Sequence, residues 1–246
     1  MIQEQLDSLL YHYSYITLFV LSFVYFFSLY FGLAPLFNGA CKLLSTKKIV
    51  HKIMPVEVSN KQISFEVKHS LISILIFGTS IVPIIYFIRM GVITLLPNTI
   101  FNIFLGLAIL VLWNEFHFFI VHRIMHFPFL FRNVHCIHHK SKVPTVYSVY
   151  SFHWVEALLL STVPLTIAIF LPFSFVSIAI YPLVSILINY SGHCNYRFGN
   201  GNGNNWLLWG SNHNEHHYKN KKNYGFLLII FDSIFSKIKK STKSKK

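Results

Sequence analysis

The chain has 246 residues, 54% of them hydrophobic and only 12% charged, with a formal net charge of +13. Globular chains carry about 25% charged residues, so half the usual solvating charge is missing and an ordinary water-soluble domain is excluded. The length suits a single membrane-embedded domain over residues 1–246.

In chain order, residues 14–36 form the first uncharged apolar run, and about 20 such residues cross a bilayer core as a helix. No basic stretch precedes it and no small-residue cleavage site follows, so a retained helix is expected rather than a cleavable signal. Residues 71–88 are a shorter candidate containing Pro83, which a membrane helix tolerates as a kink. Residues 100–121 are a third, with Trp113, Glu115 and His117 near its end. Residues 157–190 carry no charge but are interrupted by Pro164, Pro172 and Pro182. At about 1.5 Å per residue this run is too long for one span, and a helical hairpin turning near Leu171-Pro172-Phe173 is expected. Residues 197–212, "RFGNGNGNNWLLWGSN", are Gly/Asn-rich and read as a loop. Residues 226–240 combine an apolar stretch with spaced lysines, the pattern of an interfacial helix, and "KKSTKSKK" at the end reads as disordered. The expected fold is an all-α integral membrane protein of about four transmembrane helices with an inner-side, histidine-rich helical cap.

Charge placement orients it. The first fourteen residues contain no Lys or Arg, whereas residues 41–69 carry Lys42, Lys47, Lys48, Lys52, Lys61 and Lys68. Arg89 is the sole basic residue between the second and third runs, and the chain from Arg123 onward is basic outside the hairpin, through the tail 237–246. The positive-inside rule then puts the N-terminus outside and every histidine-rich segment on the cytoplasmic side, in a bacterial inner membrane or the endoplasmic reticulum. Because these lysines border apolar runs, anionic headgroups are their expected partners, and nucleic acid is not. Cys41, Cys136 and Cys194 are odd in number and lack C-x-x-C spacing, which argues against a disulfide framework or a cysteine zinc site.

The histidines carry the chemistry. His122 and His126 stand four apart and share a helix face, which reaches back seven residues to Glu115. His135, His138 and His139 have i, i+3, i+4 spacing, expected on one helical face, and His213, His216 and His217 repeat it. With His193 this makes nine histidines in four places. Neutral imidazole ligates iron, zinc, copper and nickel, and one ion takes four to six ligands, so nine imidazoles suggest a two-metal centre. Glu115, Glu156 and Glu215 are candidates to fix imidazole tautomers from behind the ligands. His12, His51 and His69 lie outside every cluster and read as interfacial polar residues, and His117 is off the His122 face.

These elements resemble the fatty acid hydroxylase/sterol desaturase superfamily of integral-membrane, non-haem di-iron enzymes. The matching elements are Glu115 seven positions before "HRIMH", "HCIHH" at 135–139 and "HWVE" at 153–156. Gly192-His193, "HNEHH" at 213–217, Asn223-Tyr224-Gly225 and Asp232 follow in order, so the resemblance covers about 115–235. It favours a site role for His153, whose spacing alone gives it no face shared with another histidine. The chain departs from the family where F-G-T is common, having Phe235-Ser236-Lys237, a change expected to affect a turn. The resemblance implies two iron ions, O2 as co-substrate, and hydroxylation or desaturation of a C–H bond in a membrane lipid or sterol. The alternative is a membrane metal-transport or metal-binding protein, which would place ligands near the bilayer midplane on broken helices. A haem carrier would need opposed single histidines, and a zinc protease would need H-E-x-x-H, which is absent. No G-x-G-x-x-G follows a strand and no cysteine cluster could hold iron–sulfur. An external electron donor is therefore expected, a cytochrome b5-like or ferredoxin-like protein with its reductase.

Overall fold

A computed structural model of the chain describes residues 2–198, 210–220, 222–226 and 230–243. A short amphipathic helix, α1 (Ile2–Tyr11), precedes α2 (Tyr15–Thr46), whose N-cap Ser14 accepts from the Thr17 N–H at 3.1 Å. α2 continues ten residues past the expected end of the first span, through Pro35. At 1.5 Å per residue it is about 48 Å long, more than the hydrocarbon core requires. Its last turns project beyond that core while Cys41 stays buried against the bundle. After β1 (Val50–Lys52) come α3 (Asn60–Thr79) and α4 (Ile81–Arg89). The break between them falls at Ser80, one turn before Pro83, because the proline cannot bond the Thr79 carbonyl and its ring crowds it, so Pro83 is accommodated in the first turn of a new helix. β2 (Leu95–Leu96) leads to α5 (Ile100–Met125), capped by Thr99.

Beyond α5 the backbone is tightly folded and mostly not α-helical: α6 (Pro128–Leu130), a π-helical turn (Phe131–His135), and 3-10 turns at His138–Lys140 and Val146–Tyr150. The hairpin follows as expected. Its first arm is α7 (Trp154–Ser161) and α8 (Val163–Ala168), with Pro164 in the first turn of α8, and its return arm is α9 (Phe175–His193). The turn contains β3 (Phe173–Ser174), which pairs in parallel with β2. β4 (Tyr196–Phe198), α10 (Ser211–Lys219) and α11 (Ile230–Lys243) complete the chain. Most of the loop expected over 197–212 lies outside the described residues, and the tail expected to be disordered is helical through Lys243.

Among the described residues, four segments are long and apolar enough to cross a membrane: Tyr15–Thr46, Asn60–Arg89, Ile100–Met125 and Phe175–His193. The protein is thus an all-α membrane protein with a histidine-rich cluster at one end. The antiparallel pair β1–β4, Val50 opposite Phe198, ties the exits of α2 and α9 together at that end. At the other end Leu10, Ile84, Ile85, Leu110, Phe173 and Ile178 form one core cluster. Arg89 pins α1 there, its guanidinium donating to the carbonyls of Leu10 and Tyr13, both at 2.7 Å. Between the ends, buried tyrosines spend their hydroxyls on backbone: Tyr30 donates to Tyr147 O (2.7 Å), and Tyr190 to Leu29 O and Tyr30 O (both 3.1 Å).

α5 and α9 approach closely at Gly106, as small residues permit in membrane bundles. A Cβ there would lie 2.5 Å from Ser177 Oγ, which is held in place by donating to Ser174 O at 2.7 Å. Gly106→Val is expected to lower stability by about 1–3 kcal/mol through overpacking. Gly39→Val, which meets nothing within 4 Å, should stay within about 0.5 kcal/mol. Unfolding midpoints in detergent compare the two.

Candidate metal centre

Four pieces of chain bring the nine histidines together. α5 delivers His122 from its last turn and His126 from its C-cap. The π turn ends at His135, and the next 3-10 turn starts with His138-His139. α9 ends at His193, and α10 carries His213, His216 and His217. The rings sort into two groups, each with ligand atoms within 4.8 Å of one another. One is His122, His126, His135, His139 and His216, and the other is His138, His193, His213 and His217. The single helical face expected for 135–139 is therefore corrected. A π turn followed by a 3-10 turn changes the rotation per residue, so His135 and His139 enter one group and His138 the other. α10 is a regular helix, yet it too divides: His213 and His217, one turn apart, face the second group and His216 the first.

Within each group the Nε2 atoms converge. His126–His216 and His135–His139 are 3.0 Å apart and His139–His216 3.2 Å; in the second group His193–His213 is 3.1 Å and His138–His193 3.4 Å. Ligands on metal–nitrogen bonds of about 2.1 Å stand about 3.0 Å apart at right angles and about 3.4 Å apart at the tetrahedral angle. The observed spacings are those of one coordination polyhedron in each group. Nδ1 hydrogen bonds set the tautomers that expose these lone pairs. His122 Nδ1 donates to Tyr224 O at 2.9 Å and His193 Nδ1 to Asn189 O at 3.0 Å. His216 Nδ1 donates to Lys222 O, and His135 Nδ1 to the Glu156 carboxylate at 2.8–2.9 Å. His122 Nε2 and both nitrogens of His217 are buried with no partner among the described residues. A buried polar atom left so costs about 1–3 kcal/mol, and a cation at the centre of each group removes that cost for the one nitrogen of each ring that ligates it. The donor sets fit metal.

The residues 107–237, just over half of the chain, match the fatty acid hydroxylase family. The chain belongs to that family. No solved structure matches it. The family match ends inside α11, where the Phe235-Ser236-Lys237 departure lies. The turn expected there is instead helix.

Several residues that hold this candidate centre in place escaped the sequence pattern. Glu66 on α3 is fully buried and accepts from Ser141 Oγ (2.7 Å), Thr145 Oγ1 and Gln62 Nε2 (2.7 Å), fixing the loop that leaves His138-His139. Asn195 clamps the end of α9 to both neighbours: its Oδ1 accepts from Met54 N and Asn214 Nδ2, and its Nδ2 donates to Met54 O. Gly210, at φ +87°, lets α10 dock on α9, since a Cβ there would lie 2.2 Å from Ser191 O. Arg123 lies 3.7 Å over the Phe235 ring and 5.0 Å over Tyr224. Asp232 accepts from Gly225 N at 2.9 Å, so α11 braces the carbonyl that receives the His122 proton. Three carbonyl acceptors, at Asn189, Lys222 and Tyr224, are backbone groups that no side-chain motif could reveal.

The other expected residues are placed as follows. Glu156 contacts His135 directly. Glu115 is buried on α5 two turns before His122. Glu215 does not reach either group; it is solvent-facing and bonded to Lys219 at 2.7 Å, which holds its carboxyl below the usual range. His153 joins neither group and instead caps α7, its Nδ1 accepting from Val155 N at 3.2 Å. His117 contacts Thr162 Oγ1, and His12, His51 and His69 also lie outside both groups.

Burial, reinforced by neighbouring imidazoles, pushes His138, His139, His213 and His217 well below the usual imidazole range. His126 falls to about 2, and burial takes His216 to about 4. These rings are neutral at pH 7, so metal binding displaces no protons from them. The unfolded chain takes up protons below about pH 6.5 while the folded metal-free protein does not. Its stability should therefore be level above about pH 6.5 and fall as the pH drops toward 4. Thermal melts of chelator-treated protein across pH 8 to 5 measure this (range on the order of the imidazole titration).

Proposed function

We propose that the chain is an O2-dependent lipid oxidase of the membrane, hydroxylating or desaturating a C–H bond of a lipid or sterol at a di-iron centre. The observation that carries this reading is the pair of convergent, all-imidazole donor sets in a chain of the fatty acid hydroxylase family. His122, His126, His135, His139 and His216 would hold one iron, and His138, His193, His213 and His217 the other. Iron bound there supplies activation of O2 for attack on an unactivated C–H bond. The protein's own share is positional: carbonyls and Glu156 aim the lone pairs, and Phe118 and Phe152 wall the groups off from the bundle interior. Phe118 lies 4.9 Å from the His122 ring, and Phe152 4.7 Å from that of His138. Rigid apolar walls of this kind exclude water from a reactive centre. Metal transport is the weaker reading, because the donors sit at helix ends and in tight turns rather than on broken helices at mid-depth.

Electrons would come from a separate cytochrome b5-like or ferredoxin-like protein and its reductase. A surface hollow of about 280 Å³ beside His216, bordered by Lys219 and Lys222, offers basic groups to an acidic carrier. The experiment is metal analysis and turnover on purified protein. Two non-haem irons per chain are expected, with lipid oxidation only when carrier, reductase, NAD(P)H and O2 are all supplied. Ala at any of the nine positions should abolish or nearly abolish activity and lower iron content. Glu156→Ala should cost about 10–100-fold, and His12→Ala, His51→Ala and His69→Ala should behave like the parent. Full iron and activity in three of the nine variants would refute the assignment.

The histidine end would face the cytoplasm, in a bacterial inner membrane or the endoplasmic reticulum. Lys47, Lys140 and Lys222 are exposed at that end and Tyr13 at the other. In a Cys136→Ser background, cysteines placed at the three lysines should react with an impermeant thiol reagent from the cytoplasmic side only. Cysteine at Tyr13 should react from the opposite side only.

A further inference from the structure

A cavity of about 370 Å³ runs inside the bundle, from Leu9 and Leu18 at the end remote from the histidines to Phe118 and Phe152 beside them. α9 lines it from Phe175 to Asn189, about 21 Å along the helix axis. The mean section is then about 18 Å², and hydrocarbon chains in contact at about 4.0–4.5 Å occupy about 16–20 Å² each. An extended hydrocarbon chain suits a cavity of this length and apolar lining. The remote end, at Leu9, Leu18, Ile84 and Phe175, is apolar, and among the described residues no charged side chain lines the cavity.

Toward the histidines two carboxamides have unused hydrogen-bonding capacity. Asn114 is 7% exposed, with no hydrogen bond to the described residues, and Asn189 Oδ1 is buried without a partner. Asn189 stands one turn before His193 on α9, and its Nδ2 is already committed to Val149 O at 3.1 Å. Two such groups, buried in an apolar wall, are costly unless a ligand completes them. A free carboxylate would meet two neutral amides and no cation, so its charge would be left uncompensated. A hydroxyl or an N–H amide can donate to Asn189 Oδ1 and accept from Asn114, whereas an ester can only accept from Asn114.

We propose that this cavity binds one hydrocarbon chain of a lipid with an uncharged polar group. The methyl end points to Leu18, the polar group lies at Asn114 and Asn189, and a carbon near that group faces the histidines. Leu18, 2% exposed at the start of α2, closes the apolar end and so limits chain length. The chemistry at the histidine end rests on the proposed lipid oxidation, but occupancy and orientation do not.

The test uses full-length, metal-free protein in phospholipid nanodiscs and long-chain 1-alkanols carrying a photoreactive diazirine at the methyl end or near the hydroxyl. The methyl-end reagent should label the peptides holding Leu18 and Phe175, and the hydroxyl-end reagent those holding Phe118 and Asn189. A fatty acid of equal length should compete at least about tenfold more weakly than the alkanol. Leu18→Trp should shift the best competitor to shorter chains and Leu18→Ala to longer ones, so one variant's misfolding leaves the other informative. Reversed or position-independent labelling, equal competition by the carboxylate, or an unmoved optimum in a folded Leu18 variant overturns the proposal. If labelling follows the expected pattern while iron-loaded protein oxidises no lipid, the proposed oxidation fails and the cavity assignment stands.

Discussion

Imidazole nitrogens aimed at one another across 3.0–3.4 Å, on rings that are mostly buried, are the constraint on which this structure depends. Such an arrangement does not hold itself together. The rings gain little from facing each other, protonation is opposed by burial, and each unpartnered nitrogen carries a desolvation cost. Convergence therefore has to be imposed from behind. The Nδ1 donors to Tyr224 O, Asn189 O, Lys222 O and Glu156 do this, since each bond fixes both a tautomer and a ring plane.

Those acceptors need support in turn, and the architecture supplies it from distant parts of the chain. Tyr224 O is placed because Arg123 stacks over Tyr224 and Phe235 while Asp232 holds Gly225. The loop after His139 is placed because Glu66 reaches it from α3. α10 sits against α9 through Gly210, Asn214 and Asn195, and Asn195 is joined to the segment after β1. Helix ends, tight turns and one two-stranded pair thus form a polar cap whose members brace one another, on spans that contribute mainly length and burial.

Much of this was legible in the sequence, for physical reasons that also mark where legibility stopped. Hydropathy reports burial in a bilayer directly, so the four spans and the proline-bounded hairpin could be read from single residues. The nine histidines stood out because imidazole is an expensive choice for an apolar chain. Their partition did not, because reading H-x-x-H-H on one face assumes 3.6 residues per turn, and the backbone at 131–140 is π and then 3-10. Glu215, beside His216 in sequence, pairs with Lys219 at the surface, whereas Glu66, 75 residues from Ser141, is the buried anchor. One sequence contains no signal for such a long-range bond, and carbonyl acceptors leave no side-chain trace at all. The break in the second span fell at Ser80 because Pro83 cannot bond the carbonyl four residues before it, so α3 ends at Thr79 and a new helix begins.

The two ends of the bundle are also energetically separable. The core cluster at the remote end, from Leu10 and Leu18 through Ile84, Leu110 and Phe173 to Tyr181, contains none of the nine histidines. Its stability comes from apolar packing and from Arg89 holding α1, which metal does not touch. Phe118 and Phe152 are the boundary, since each lines the cavity on one side and meets a histidine ring on the other. Loss of metal should therefore loosen the cap, where unpartnered nitrogens would draw in water, and leave the cavity walls standing. A molecule divided in this way can hold an apolar chain in place independently of the state of the polar cap beside it. On the proposed reading, positioning a lipid and positioning metal ligands then fall to different physical forces within one small fold.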